Sequence, residues 1–264
     1  MMTDSPVFVS SVFKSGTWLL REIVRQLTNK TPIEPDLSSR KTTPYDIENI
    51  VIPSVNQFYS WHFIPSAEVM QAIDEHDGKC IFLIRNIYDL VVSIFYHFSL
   101  NVDQDIGKGA NKDKFFSMFT KSKGMGIIIN GNDSSDFKWS GIELHIEHIE
   151  KIISNSGRSN VYITTFERLT NNKIKEVTEI SKFLGIDHDT EVLKSIVEST
   201  EFGKMKSQAV LDNKGSHFRK GESGSHRYEL GKDHYQLIDK IIKDRFPGLK
   251  ALADEAGCNE IFSK

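Results

Sequence analysis

The chain has 264 residues, of which 39% are hydrophobic and 26% are charged, and its formal net charge is −3. These totals are typical of a globular protein with room for one large α/β domain, and the slight negative charge excludes a general nucleic-acid binder. No apolar run approaches the roughly 20 residues of a membrane span, and the first residues lack the pattern of a secretory signal. Two cysteines, Cys80 and Cys258, offer neither a disulfide framework nor metal-ligand spacing, so we expect a reducing, cytoplasmic location.

The stretch from residue 7 to residue 20 predicts an anion-binding turn. Residues 7–12 are apolar enough for a short buried strand, and the apolar residues of the following helix, Leu19 to Leu27, share one face. Such a strand–turn–helix aims backbone N–H groups and a positive dipole end at an anion, and Lys14 adds a charge. A purely structural turn is the alternative. The Walker pattern is absent, because Lys14 precedes Gly16 instead of following a glycine.

Further along the chain, strand patterns alternate with helix patterns. Strands are predicted at 57–63, 78–84 and 161–164, and helices at 66–73, 87–100, 142–153, 174–184, 192–197 and 233–246. This alternation predicts a single domain over residues 1–264, a three-layer α/β/α fold with a central parallel sheet and strand 78–84 at its middle.

Three segments without a clear period are expected to lie outside the core. Residues 31–53 suggest a loop-rich excursion, residues 101–139 a mobile surface loop or substrate lid with a helical island at 115–119, and residues 203–225 a flexible, cationic lid. His145 and His148 alternate with glutamates, which favours a solvated helix face over a metal site.

Three basic elements call for a common ligand: residues 14–18, residues 85–93 and residues 219–221. The first two follow strands, and ligands of open parallel sheets bind beyond the carboxyl ends of the strands. The guanidinium group of Arg85 and the hydroxyl of Ser93 suit a second anionic group. We therefore expect a ligand that carries at least two separate anionic groups.

In combination, these motifs resemble the cytosolic-type sulfotransferases that use 3'-phosphoadenosine 5'-phosphosulfate (PAPS). The resemblance runs from about residue 7 to residue 227 and rests on Lys14-Ser15-Gly16-Thr17, on Arg85-Asn86 with Asp89, Ser93 and Tyr96-His97-Phe98, and on Arg219-Lys220-Gly221 with Gly224. It implies a P-loop-nucleotidase-like sulfotransferase fold. It also implies transfer of a sulfuryl group from PAPS to a hydroxyl or amine of a small-molecule acceptor, which leaves 3'-phosphoadenosine 5'-phosphate (PAP), without a metal.

The resemblance assigns roles residue by residue. The 5'-phosphosulfate would bind to the turn, with Lys14 stabilising the leaving phosphate oxygen, through Lys14, Ser15, Gly16, Thr17 and Trp18. The 3'-phosphate would bind to Arg85 and Ser93, in a pocket completed by Arg219, Lys220 and Gly221. The adenosine would be lined by Phe166 and Thr200, with Phe202 behind them. His62 stands at the position of the family's catalytic histidine, so it is the candidate general base for an in-line displacement.

Several positions depart from the family pattern. Ser60 stands where the family has a lysine, which removes a positive charge from the sulfuryl site. Phe13 replaces a proline, Trp18 a threonine, Phe166 a tyrosine, and His226-Arg227 replace Trp-Lys. These departures predict a divergent bacterial branch that acts on small molecules, including secondary metabolites, with an acceptor that the pattern does not identify.

Two other functions remain open at this point. A small-molecule kinase of P-loop type would share the fold but needs a Walker pattern and a carboxylate-held magnesium. A catalytically inactive nucleotide-binding relative would keep Arg85 and Ser93 but lose the base, and His62 argues against it. His217, His226 and Glu22 are alternative bases, and no pattern fixes the oligomeric state.

Overall fold

The computed structural model describes residues 5–35, 50–100, 112–211 and 220–264. Contact density divides the chain into a first unit, residues 1–84 with 151–205, and a second unit, residues 85–150 with 206–264. The single domain over residues 1–264 stays a prediction. Within the described ranges, every helix is too short or too polar to cross a lipid bilayer.

The described elements alternate between strands and helices along most of the chain. In chain order they are β1 (Val7–Ser11), α1 (Thr17–Thr28), β2 (Thr31–Ile33), β3 (Gln57–Trp61), α2 (Ala67–Asp74), β4 (Lys79–Ile84), α3 (Ile87–Ser99), α4 (Lys112–Ser117), α5 (Lys121–Asn130), β5 (Asn132–Asp133), β6 (Lys138–Trp139), α6 (Glu143–Ile153), β7 (Val161–Thr165), α7 (Phe166–Asn171), α8 (Lys173–Leu184), α9 (Thr190–Ser199), α10 (Phe202–Leu211), α11 (His226–Glu229), α12 (Lys232–Arg245), α13 (Leu249–Glu255) and a 3₁₀ helix (Asn259–Phe262). The predicted strands and helices are confirmed, with ends shifted by up to two residues.

The first unit is built on a parallel sheet with the strand order β2-β3-β1-β4-β7 among the described residues. The predicted parallel sheet is confirmed, but the prediction that strand 78–84 lies at its middle is wrong. The central strand is β1, which pairs with β3 on one side and β4 on the other. The most apolar run, β4, therefore lies next to the centre of the sheet. The predicted anion-binding turn follows the central strand β1.

Helices of the first unit cover both faces of this sheet, as the unbroken apolar strands require. One face packs its side chains into a core with α1, α7, α8 and α9, represented by Val7, Val9, Ile81, Leu83, Leu20, Ile23, Leu169, Ile180 and Ile196. On the other face, the Phe8 ring approaches Ile73 of α2. Only glycine at position 78 allows this, since a Cβ on residue 78 would lie 2.7 Å from the Phe8 ring.

In the second unit, an aromatic core replaces the predicted loop. Residues 112–139 form α4, α5 and the β5–β6 pair, and Phe115 and Phe116 are buried against Phe98 and Phe137. The prediction of a mobile loop or lid is wrong for these residues. Although the segment is rich in polar residues, its aromatic rings pack together and form a core that excludes water. Residues 101–111 lie outside the described residues.

Three smaller predictions are also wrong. His145 and His148 are buried rather than solvated, and the His145 ring lies 5.2 Å from the Trp139 ring. Residues 31–33 form strand β2, because pairing with β3 overrides a turn-rich composition. Residues 202–211 form α10 instead of a flexible lid, while residues 212–219, which include His217, lie outside the described residues.

Candidate functional site

The turn between β1 and α1 is tight and held by backbone hydrogen bonds. The Val12 N–H donates to the Leu83 carbonyl over 3.0 Å, and the Ser15 N–H donates back to the Val12 carbonyl over 3.0 Å. Lys14 and Gly16 both adopt left-handed backbone conformations, with φ of 68° and 103°. Lysine rarely adopts this conformation, and such strain is concentrated at functional sites. The predicted strand–turn–helix is confirmed.

Gly16 is required by the close approach of Phe166. A Cβ at position 16 would lie 2.7 Å from Phe166 Cδ2, and the φ of 103° adds backbone strain for any other residue. Phe166 itself is buried at the start of α7, where Thr165 Oγ1 accepts the Arg168 N–H over 3.2 Å. The aromatic ring predicted to line an adenosine thus backs the anion turn.

Ser15 gives a test of whether the turn suits an anion. Its side chain is buried, and its hydroxyl has no hydrogen-bond partner among the described residues. Buried hydroxyls are nearly always paired, so such a group in a native protein points to a ligand oxygen. Because this hydroxyl lies in the turn that opens α1, where backbone N–H groups and the positive dipole end converge, the turn fits a phosphate or sulfate group.

His62 follows β3 and is brought to the turn by the strand register. Ser10 pairs with Trp61, and one further step places His62 opposite Ser11. His62 Nδ1 lies 2.7 Å from the Ser11 carbonyl oxygen and 3.2 Å from Ser11 Oγ. A carbonyl oxygen only accepts, so Nδ1 carries the hydrogen, and the neutral ring presents Nε2 as an acceptor. A general base needs this tautomer.

Ser11 also reaches the first residue of α1. Its Oγ lies 2.6 Å from Thr17 Oγ1, so hydroxyl groups connect the histidine with the start of the helix. The motif comparison missed Ser11. The signal was present in the hydroxyl residues Ser10 and Ser11 that end an apolar strand, but only the register shows which of the two faces His62.

Phe13 lies beside both candidate catalytic residues. Its ring centroid is 5.8 Å from Lys14 Nζ and 5.8 Å from the His62 ring centroid, in an edge-on arrangement with the latter. The Trp61 ring also contacts His62, with 5.4 Å between the two ring centroids. The aromatic residue that replaces the family's proline therefore contributes an apolar wall to the site.

The remaining first-unit residues are placed as follows. Trp18 stacks with Arg21, whose guanidinium carbon lies 5.4 Å from the ring centroid. Thr200 Oγ1 donates to the Ile196 carbonyl over 2.7 Å, so its hydroxyl is committed to its own helix, and Phe202 is half-buried at the start of α10. Ser60 is buried, and its hydroxyl has no partner within the described chain. A lysine here would be costly to keep charged.

In the second unit, Arg85 contacts the segment that begins at Lys220. Arg85 is buried, its Nη2 donates to the Glu222 carbonyl over 3.1 Å, and the same nitrogen lies 4.0 Å from Asp89 Oδ2. Ser93 follows Asp89 by one turn of α3 and is half-buried. Lys220 is exposed, Gly221 has a φ of 69°, and Arg219 lies outside the described residues.

Asp89 fastens residues 224–226 to α3. Its fully buried carboxylate accepts hydrogen bonds from the Gly224 N–H at 2.5 Å, from Ser225 Oγ at 3.0 Å and from the His226 N–H at 2.9 Å. The motif contained Asp89, but the sequence comparison assigned it no role. In the structure, Asp89 holds residues 224–226 while Arg85 contacts Glu222.

His226, which the sequence offered as an alternative base, packs between tyrosine side chains. It is buried, its Nδ1 lies 2.8 Å from the Tyr235 hydroxyl, and its ring lies 5.6 Å from the Tyr88 ring. Burial lowers the pKa of His226 below its ordinary value, against the opposing effect of the Asp89 charge. A neutral histidine of this kind stabilises the packing of α11 against α12.

Replacing Asp89 by Asn is expected to destabilise the protein by about 1–3 kcal/mol, because the amide group would face one of three donors and leave it unsatisfied. Urea denaturation measures this change. In the control Asp239→Asn, the remaining oxygen can still accept from the Tyr88 hydroxyl, which lies 2.7 Å from Asp239 Oδ1, and the exposed Lys264 ammonium that contacts Asp239 Oδ2 can turn to water, so a smaller loss is expected. Equal losses in the two variants would contradict the proposed role of Asp89.

Comparison with known proteins identifies similar chains. The sulfotransferase domain family matches residues 4–253. Sulfotransferase 2B1 of Rattus norvegicus is 25% identical over 264 residues, which span 93% of this chain and 72% of the relative. Sulfotransferase 6B1 of Danio rerio is 30% identical over 178 residues, which span 66% of this chain and 54% of that protein.

Two solved structures resemble the fold. The crystal structure of mouse sulfotransferase SULT7A1 complexed with PAP gives a TM-score of 0.68 at 19% identity and covers 99% of this chain and 90% of its own. Retinol dehydratase in complex with androsterone and the inactive cofactor PAP gives a TM-score of 0.62 at 19% identity, with 92% and 81% covered. They confirm the predicted P-loop-like α/β fold.

Proposed function

Because the chain belongs to the sulfotransferase domain family, we propose that it transfers a sulfuryl group from PAPS to a hydroxyl or amine of a small-molecule acceptor. Membership of the family confirms the resemblance seen in the motifs and the enzyme class, a sulfotransferase. The donor, the acceptor and the roles of individual residues belong to the proposal.

One observation carries it: within the first unit, a histidine held in the tautomer of a base lies next to a turn that fits an anion. Sulfuryl transfer is an in-line displacement at sulfur, which requires an oriented acceptor, removal of its proton and stabilisation of the departing phosphate. In this proposal, Nε2 of His62 takes the acceptor's proton. Lys14 neutralises charge on the leaving phosphate oxygen.

The other site residues bind the donor nucleotide in this proposal. Ser15, Gly16, Thr17 and Trp18 hold the 5'-phosphosulfate. Arg85 and Ser93 hold the 3'-phosphate together with Arg219, Lys220 and Gly221, while Phe166, Thr200 and Phe202 lie nearest the adenosine. Structures of two relatives in the fold, SULT7A1 and retinol dehydratase, hold PAP, which supports this donor.

The acceptor is proposed only by class. Solved complexes of retinol dehydratase contain androsterone or retinol, which supports a small-molecule acceptor here. The departures from the family pattern at Phe13, Ser60 and Trp18 support a divergent bacterial branch. A cytoplasmic location agrees with the free thiols of Cys80 and Cys258.

Binding of PAP tests the donor and separates this proposal from a kinase. PAP at about a hundredfold excess over its Kd is expected to stabilise the protein by about 2.7 kcal/mol, whereas ATP with magnesium is expected to leave it unchanged. The measurement is the thermal unfolding midpoint with each ligand. A shift with ATP and magnesium but none with PAP would favour the kinase, and transfer of labelled sulfate from PAPS to screened acceptors would exclude an inactive relative.

A further inference from the structure

Ser11 occupies a position that no motif assigned, between the candidate base and the anion turn. Its side chain is fully buried at the end of β1. Its Oγ lies 3.2 Å from His62 Nδ1 on one side and 2.6 Å from Thr17 Oγ1 on the other. The three polar groups thus form a chain from the imidazole to the first residue of α1.

The direction of the hydrogen bond between His62 and Ser11 follows from its donor. His62 Nδ1 carries its hydrogen because it faces the Ser11 carbonyl at 2.7 Å, so toward the ring Ser11 Oγ acts as an acceptor. The single hydroxyl hydrogen of Ser11 is then available for Thr17 Oγ1. If Ser11 donates that hydrogen, Thr17 Oγ1 accepts it and the Thr17 hydrogen points away from Ser11, whereas the opposite direction would use the Thr17 hydrogen on Ser11.

We infer that Ser11 is a positioning residue, whose hydroxyl directs the Thr17 O–H toward the phosphosulfate and connects it with the base. This inference rests on the proposed function, because it takes the turn as the seat of the donor's phosphosulfate. A hydroxyl whose hydrogen is already aimed binds an anionic oxygen without first reorienting. A positive charge that develops on His62 strengthens each bond of the chain, since hydrogen bonds in series polarise one another.

The neighbouring Ser10 provides a matched control. Ser10 is also fully buried on β1, and its Oγ donates to the Phe63 carbonyl over 2.7 Å on the opposite face of the sheet. Replacing either serine by alanine removes one hydroxyl of equal size from the same strand. Only the Ser11 change interrupts the chain to Thr17.

The experiment measures the Kd for PAP by isothermal titration calorimetry in the wild type, Ser11→Ala and Ser10→Ala. Ser11→Ala is expected to weaken binding about tenfold, because the Thr17 hydroxyl is no longer oriented toward the charged ligand, while Ser10→Ala changes it less than about twofold. If the wild type binds PAP and both variants bind it equally, the inference is overturned while the proposed donor stands. If the wild type does not bind PAP, the donor proposal fails and this inference fails with it.

A double-mutant cycle separates positioning from a merely structural effect. Thr17→Val keeps the shape of the side chain and removes its hydroxyl. If Ser11 acts through Thr17, Ser11→Ala lowers PAP affinity in the wild type but has almost no further effect in the Thr17→Val background. Additive losses in the double variant would overturn the inference.

Discussion

Replacing His62 by Asn is expected to lower the rate of sulfuryl transfer by about 10²–10⁴-fold, the usual contribution of a positioned general base. The amide nitrogen of Asn occupies nearly the place of Nδ1, so the variant can keep the hydrogen bond to the Ser11 carbonyl, now 2.7 Å. It lacks any group at the place of Nε2. The rate therefore falls while the fold and PAP binding are kept, as single-turnover kinetics and calorimetry would measure.

His188 is the control for this variant. It is half-buried in the first unit, and its Nε2 lies 2.8 Å from the Leu27 carbonyl, so His188→Gln keeps a comparable bond. The rate of this variant should equal that of the wild type within about twofold, because it touches no reacting group. A His62→Asn enzyme as fast as the His188→Gln control would remove His62 from the mechanism.

Replacing Lys14 by Met is expected to reduce kcat by about 10²–10³-fold, comparable to the loss of one group that stabilises developing charge. Methionine retains most of the stem, and the φ of 68° is equally strained for both residues, so the change isolates the charge. PAPS binding should weaken less than kcat falls, because the charge on the leaving oxygen develops only as PAPS goes to the transition state.

Lys79 offers a matched lysine for this experiment. Its Nζ lies 5.7 Å from the Phe183 ring centroid, nearly the 5.8 Å between Lys14 Nζ and the Phe13 ring, and it donates to the Phe183 carbonyl over 2.8 Å. Lys79→Met is expected to cost stability but not rate. If Lys14→Met lowers PAPS affinity but leaves kcat unchanged, Lys14 binds the ground state and has no special role in the transition state.

The sequence predicts the fold correctly where apolar residues form long, regular patterns. The turn after β1 and the buried strand β4 followed from apolar runs bounded by Gly and charged residues. By contrast, β2 and the aromatic core around Phe115 and Phe116 depend on partners distant in the chain, and a local pattern contains no information on those partners. The order of the strands has the same origin, which explains the wrong assignment of the central strand.

The sequence predicts which side chains belong to the candidate site, but it does not predict their hydrogen bonds. Resemblance to the family pointed to His62 and Lys14, yet the tautomer of His62 depends on the Ser11 carbonyl, which no residue type reveals. The role of Asp89 depends on three donors at residues 224–226, more than 130 residues away in the sequence. Motifs select residues, and register and loop closure determine their contacts.

The contact between Gly16 and Phe166 has a consequence for how such a chain can diverge. With 2.7 Å between the Phe166 ring and the place of a Cβ on residue 16, residue 16 cannot become larger without a change at position 166, and the φ of 103° would still strain any side chain there. We expect homologous chains with a larger residue at 16 to be rare and to carry a smaller one at 166. A library that randomises position 16 alone should return glycine, and joint randomisation with position 166 should still favour glycine because the backbone strain at position 16 remains.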